Sequence, residues 1–153
     1  MPDIHPTAIV DPEAQLHESV AVGPGVCITG NVTIGADTRV HAYAQLQGPM
    51  TIGAGNTIYP FCCLGLPPQD KSAPPGTPTP GVVIGDRNVI REYSTVHAAT
   101  REQPTRVGDE NYIMLGGHIG HDTQMGSHCV FVNRVSIGGH AVVEDHATIS
   151  GNT

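Results

Sequence analysis

Aliphatic residues recur at every sixth position along most of this chain, and no other feature so narrows what it can become. From Ile4 the steps fall on Val10, Leu16, Val22, Ile28, Ile34, Val40, Leu46, Ile52, Ile58 and Leu64. The phase resumes at Ile84, Ile90 and Val96, and again from Val107 through Ile113, Ile119, Met125, Phe131, Ile137 and Val143 to Ile149. That makes 22 hexads in 153 residues, a recurrence that average composition does not produce by chance. A helix would space its apolar residues by three and four. Sandwich strands would alternate and turn every eight to twelve residues. Strict sixes instead describe short strands meeting at the corners of a coiled prism, one repeat stacked on the next.

Composition supports this. The chain has 19 Gly, 13 Pro, no Trp and two Phe, which argues against long helices and an aromatic core. The position after the aliphatic is often Gly (23, 35, 53, 65, 85, 108, 120, 126 and 138), which predicts positive-φ corners there. The position four after it is usually small, as at Ala8, Thr38, Ala44, Ser94, Thr123 and Ala147, which predicts a small inward residue where strands turn. Two interruptions read as loops, near 66–83 and 98–106; the first holds six of the thirteen prolines, which cannot sit in a central strand. Loops leaving a rigid scaffold commonly carry function.

A formal charge of −7 with a single lysine, Lys71, excludes a basic face for nucleic acid. No apolar run is long enough to span a membrane, and the first residues lack a signal-peptide pattern. Four cysteines without a CxxC pair indicate neither a disulfide framework nor a zinc knuckle, so a reduced, cytoplasmic setting is expected.

Hexads such as Ile34-Gly35-Ala36-Asp37-Thr38-Arg39 resemble the hexapeptide-repeat proteins. That resemblance implies an all-β, left-handed parallel β-helix of about seven coils in one domain, residues 1–153. Counting hexads onto three faces puts Val10, Ile28, Leu46, Leu64, Val96, Ile119 and Ile137 on one face. His97, His121 and His140 then lie on consecutive coils of that face, His118 lies at the corner entering it, and Gln69 and Asp70 begin the proline loop beside it. His128 and His146, 18 apart, form a second stack elsewhere. Imidazole is the usual general base near neutral pH. Asp122 is close enough in sequence to orient His121, although neighbouring strand residues point to opposite faces, so the pair needs a corner or bulge. A zinc enzyme is the competing chemistry: His118-x-x-His121 can be written as ligand spacing, and γ-class carbonic anhydrases use histidines on such helices. A non-catalytic trimeric β-helix is the other alternative.

Four further segments narrow the resemblance. Gly65-Leu66-Pro67-Pro68-Gln69-Asp70-Lys71, Ile84-Gly85-Asp86-Arg87-Asn88-Val89-Ile90-Arg91-Glu92, His118-Ile119-Gly120-His121-Asp122 and Gly138-Gly139-His140 occur in this order. Together they resemble the UDP-N-acetylglucosamine O-acyltransferases of lipid A biosynthesis. The resemblance implies transfer of a (3-hydroxy)acyl chain from acyl carrier protein to the 3-position of UDP-N-acetylglucosamine. It implies His121 as base, Asp122 as its orienter and the Gly139 N–H as oxyanion donor. Gln69, Asp70, Lys71, His97, His118 and His140 would bind substrate, with no metal and no cofactor. It also implies a homotrimer, and a family C-terminal helical subdomain that lies outside this chain. Two departures stand out: Lys71 follows Gln69 by two residues where three is usual, and Ala98-Ala99 replaces the usual Arg-Gly after His97.

Overall fold

The structure, a computed structural model, describes residues 1–74 and 76–153. It is a left-handed parallel β-helix. Its 22 short strands run from β1 (Asp3–Ile4) to β22 (Thr148–Ile149), and each contains one of the 22 counted aliphatics. Every third strand joins the same sheet. Sheet A has eight strands and begins at β1; sheet B has seven, from β2 (Ile9–Val10) to β20 (Ser136–Ile137); sheet C has seven, from β3 (Gln15–Leu16) to β21 (Val142–Val143). All ladders are parallel, and registers such as Ile119↔Ile137 bring residues 18 apart together. The core is a single column of these aliphatics joined by further inward residues such as Val20, Val26, Cys62 and Cys129, with Phe131 its largest fully buried side chain. Among the described residues no helix is long and apolar enough to cross a membrane.

The expectation that the glycine following each aliphatic turns the corner is not met. Of those nine glycines only Gly65 has positive φ. The left-handed residue falls three after the aliphatic, and there it is usually not glycine: Asp37, Tyr43, Phe61, Arg87, Tyr93, Glu110, Asp122, His128, Arg134, His140 and His146 all have φ between 52° and 63°. The glycines serve close stacking instead. A Cβ on Gly35 would lie 2.7 Å from the Gly53 carbonyl carbon, and one on Gly120 would lie 2.7 Å from the Gly139 nitrogen.

The three corners differ in chemistry. Where sheet C passes to sheet A, polar side chains repeat up the column. Asn56 Oδ1 accepts the Asn88 N–H, Asn88 Oδ1 accepts the Asn111 N–H, and Asn111 Oδ1 accepts the Cys129 N–H, at 2.8–2.9 Å. Asp86 Oδ1 accepts the Ala54 N–H, and Asp109 Oδ1 accepts the Asp86 N–H, both at 2.7 Å. The Ile84–Glu92 segment singled out in the sequence therefore builds this corner. Its Arg91 pairs with Glu92 and lies over the Tyr59 ring. Where sheet A passes to sheet B, the exposed rings of Tyr43, Phe61 and Tyr93 stack at 5.5 and 5.3 Å.

Where sheet B passes to sheet C, the helix opens into its two loops. The proline loop connects β11 (Cys63–Leu66) to β12 (Val82–Ile84) and so spans 67–81, because Leu66, Val82 and Val83 pair into ladders. The second loop connects β14 (Thr95–His97) to β15 (Thr105–Val107) and spans 98–104. On the next two coils the same corner is a tight turn, at 120–123 after β17 (His118–Ile119) and at 138–141 after β20.

Candidate active site

Asp122 organises the corner between sheets B and C. It takes the left-handed conformation, φ 59°, at the turn after β17. This swings its side chain to the same side as His121, which two neighbouring residues of an extended strand could not share. His121 Nδ1 and Asp122 Oδ2 lie 2.7 Å apart. The carboxylate is anchored from the preceding coil: it accepts the Thr100 N–H at 3.0 Å, the Thr100 hydroxyl at 2.6 Å and the Arg101 N–H at 2.9 Å. The Asp122 N–H in turn donates to Thr105 Oγ1 at 2.8 Å. Burial would push the Asp122 carboxyl up, but the bonds from Thr100, His121 and Arg101 outweigh it and hold the group at about 2. Asp122 is therefore a fixed anion. Its partner imidazole keeps a proton on Nδ1 and presents Nε2 as a lone pair.

His140 sits on the next coil, also left-handed at φ 62°. Its N–H donates to the His121 carbonyl at 2.9 Å, and the two rings meet edge to face at 5.0 Å. Asp70 enters from the proline loop. The Ser72 amide and hydroxyl, both 2.8 Å from Asp70 Oδ1, hold its carboxyl below the usual range, and His121 and His140 add to this. One donor atom from each of Asp70, His121 and His140 lies within 4.8 Å of the others. An open groove of about 870 Å³ has walls that include Asp70, Thr100, Arg101, Asp122, Gln124 and His140, and His121 adjoins it through its contacts with Asp122 and His140. Gly139 is exposed beside it, and a Cβ there would lie 2.5 Å from His121 Nε2, so only glycine leaves room for the ring.

The other candidates are distributed differently. Gln69 and Lys71 flank Asp70 on the loop and are exposed. His118 lies within β17 rather than at the corner before it, because it pairs with Thr95 and Ser136 in the ladder. Its Nδ1 is 2.7 Å from Thr95 Oγ1, and its ring meets His97 edge to face at 5.0 Å. His97 is buried with no partner for Nδ1; burial first, then His118 and His121, pushes its imidazole down to about 4. Burial also lowers His118. The five residues 97, 118, 121, 122 and 140 thus form two pairings on one flank, with His97 and His118 neutral. His128 and His146 stack in parallel at 4.9 Å, with His128 Nδ1 3.4 Å from Glu110 at the C-to-A corner. Thr100 and Thr105 escaped sequence reasoning; their signal was that the second loop leaves from the same corner as His121.

No family model matches the chain, but individual proteins do. It is 43% identical over 149 residues to the acyl-[acyl-carrier-protein]–UDP-N-acetylglucosamine O-acyltransferase of Thermodesulfovibrio yellowstonii, covering 96% of this chain and 57% of the relative. It superposes with a TM-score of 0.94 on the UDP-N-acetylglucosamine acyltransferase of Francisella novicida, at 37% identity over 97% of this chain. The chain is a homologue of these acyltransferases. A further superposition, on the corresponding structure from Acinetobacter baumannii, also gives a TM-score of 0.94, at 36% identity. The chain spans a little over half the length of these proteins: 57% of the first, 54% of the second and 58% of the third.

Proposed function

We propose that the protein transfers a (3-hydroxy)acyl chain from acyl carrier protein to the 3-hydroxyl of UDP-N-acetylglucosamine, the first step of lipid A biosynthesis, in the cytoplasm. The observation that carries this reading is the 2.7 Å His121–Asp122 pair at the edge of the groove that Asp70, Asp122 and His140 line. The anchored Asp122 anion keeps the proton on Nδ1, so His121 Nε2 takes the proton of the sugar 3-hydroxyl as its oxygen attacks the thioester carbonyl. The Gly139 N–H donates to the oxyanion of the tetrahedral intermediate, a contribution of about 3 kcal/mol for donors of this kind. The intermediate expels the carrier thiolate, which takes the proton from His121. Ester and free thiol leave, and no group on the enzyme is acylated.

Asp70, His140, Gln69 and Lys71 hold the sugar nucleotide at the groove mouth, and the neutral His97 and His118 line its approach. The protein works as a homotrimer that packs the flank bearing His97, His121 and His140 against a neighbour. The stacked and exposed Tyr43, Phe61 and Tyr93 border that flank and supply apolar surface for such packing.

The test incubates the protein with radiolabelled 3-hydroxyacyl–acyl carrier protein and UDP-N-acetylglucosamine, and separates the products. Saturable formation of the acylated sugar nucleotide is expected. Hydrolysis of the thioester without sugar acylation, or no turnover by a protein shown to be folded, would refute the assignment. Light scattering tests the assembly, with three chains expected and a monomer at micromolar concentration contradicting it.

A further inference from the structure

We infer that Asp70, His121 and His140 form a capture site for a divalent first-row transition ion of the Zn2+ kind, and that the captured ion blocks His121. The site differs from the one the spacing His118-x-x-His121 offers, since His118 Nδ1 is held by Thr95 and its ring is paired with His97. The two histidines that converge are instead 19 residues apart, on consecutive coils, and the carboxylate comes from a loop.

Three observations point to metal. The donor set is two imidazoles and one carboxylate, the composition of open zinc sites, whereas Mg2+ and Ca2+ favour oxygen donors. The donor atoms already lie within 4.8 Å of one another. Bonds of about 2.0–2.2 Å to the ion require donors roughly 3.3 Å apart, a contraction that the exposed His140 and the loop-borne Asp70 can supply by side-chain rotation. Finally, His121 carries the outer support that zinc-binding histidines usually have. Its Nδ1 is bonded to Asp122, which fixes the ring and leaves Nε2 to bind the ion. Asp122 is itself pinned by Thr100 and Arg101, so the ring has little freedom to turn away.

Three protein donors leave a fourth position open to the groove, where water completes the shell. The ion takes the lone pair on His121 Nε2 that the proposed transfer uses as base. Capture and catalysis are therefore mutually exclusive, and this half of the inference rests on that reading. Zn2+ stripped by a chelator restores the base.

The experiment titrates chelator-treated protein with Zn2+ by calorimetry and with Co2+ by visible absorption, alongside Asp70→Asn, His140→Ala, Asp122→Asn and His146→Ala. One ion per chain is expected, with Co2+ bands of a mixed nitrogen and oxygen shell. Asp70→Asn and His140→Ala should each weaken binding at least tenfold, and Asp122→Asn by about 10–100-fold through loss of the outer support. His146→Ala, in the parallel histidine stack, should leave binding unchanged. No binding at micromolar Zn2+, or binding indifferent to Asp70→Asn and His140→Ala, would overturn the site. In the transfer assay, Zn2+ should inhibit with the same affinity and a chelator should reverse it. Zn2+ that binds by these rules but leaves transfer intact would overturn the blocking half. Metal-free protein without transferase activity would refute the proposed function while the binding results still decide the site.

Discussion

Replacing Asp122 with asparagine keeps size and shape but removes the carboxylate's negative charge and turns one acceptor oxygen into an NH2 donor. Oδ1 accepts the Arg101 N–H, Oδ2 accepts from the Thr100 hydroxyl and from His121, and the Thr100 N–H is shared between the two oxygens at 3.0 Å each. The asparagine oxygen keeps the Oδ1 place, because an amide NH2 there would leave the Arg101 N–H without an acceptor, whereas the shared Thr100 N–H still bonds to an oxygen at Oδ1. The NH2 then occupies the Oδ2 place. The Thr100 hydroxyl can rotate and accept from it. His121 can accept only if Nδ1 is the bare nitrogen, which moves the ring proton to Nε2, beside Gly139. The base is then present, correctly placed and unable to take a proton. The same carboxylate-to-amide change in a serine protease triad lowers kcat about 10⁴-fold. For Asp122→Asn a fall in kcat of about 10²–10⁴ is expected, roughly 3–5 kcal/mol of lost transition-state stabilisation, with KM changed far less. Sequence alone suggests a milder effect than that of His121→Ala, on the view that Asp122 merely orients; the bonding pattern makes the two comparable. Steady-state transfer kinetics on folded protein decide it. Retention of kcat within about threefold would refute the tautomer reasoning.

Asn88→Ala removes the acceptor of the Asn111 N–H and the donor to the Gly108 carbonyl, both held at 2.9 Å in the buried column. Two stranded polar groups at about 1–3 kcal/mol each predict a loss of roughly 2–6 kcal/mol in urea unfolding. Gly139→Ala brings a methyl to 2.5 Å from His121 Nε2 and should lower kcat at least tenfold with little effect on unfolding. His97 binds its proton at about 4 in the folded chain, against 6.5 as the ordinary value. The unfolded chain therefore takes up the proton first as pH falls. Stability should be unaffected above pH 6.5 and should decline between 6.5 and 4, by up to about 3 kcal/mol. Denaturation of His97→Gln across that range should show a correspondingly flatter acid limb.

The recurrence of sixes was enough to locate all 22 strands, because each coil must bury one aliphatic at the same point of a triangular section. Corner chemistry was less visible. The Asn56–Asn88–Asn111 column is spaced by 32 and 23 residues, since the two loops interrupt the repeat, and no fixed period exposes it. A glycine after the aliphatic is ambiguous in sequence, because small size alone does not distinguish close coil packing from a left-handed turn. At the site, hexad counting brought His121 and His140 to one flank, and the need for a corner between His121 and Asp122 followed from strand geometry. That the corner is Asp122 itself, in the left-handed region, requires coordinates. So does the reach of Asp70 and Thr100, which sit on loops whose paths no repeat dictates.

The base assignment is tested most directly by kcat for acyl transfer measured side by side in the parent protein, His121→Ala and His128→Ala. His128 is an exposed histidine at a different corner, stacked on His146, so its replacement reports any nonspecific cost of losing an imidazole. A fall of about 10²–10⁴ in kcat for His121→Ala, with His128→Ala near the parent value, is expected. Near-full transfer by His121→Ala, or its loss in His128→Ala, would contradict both the base and the corner on which it stands.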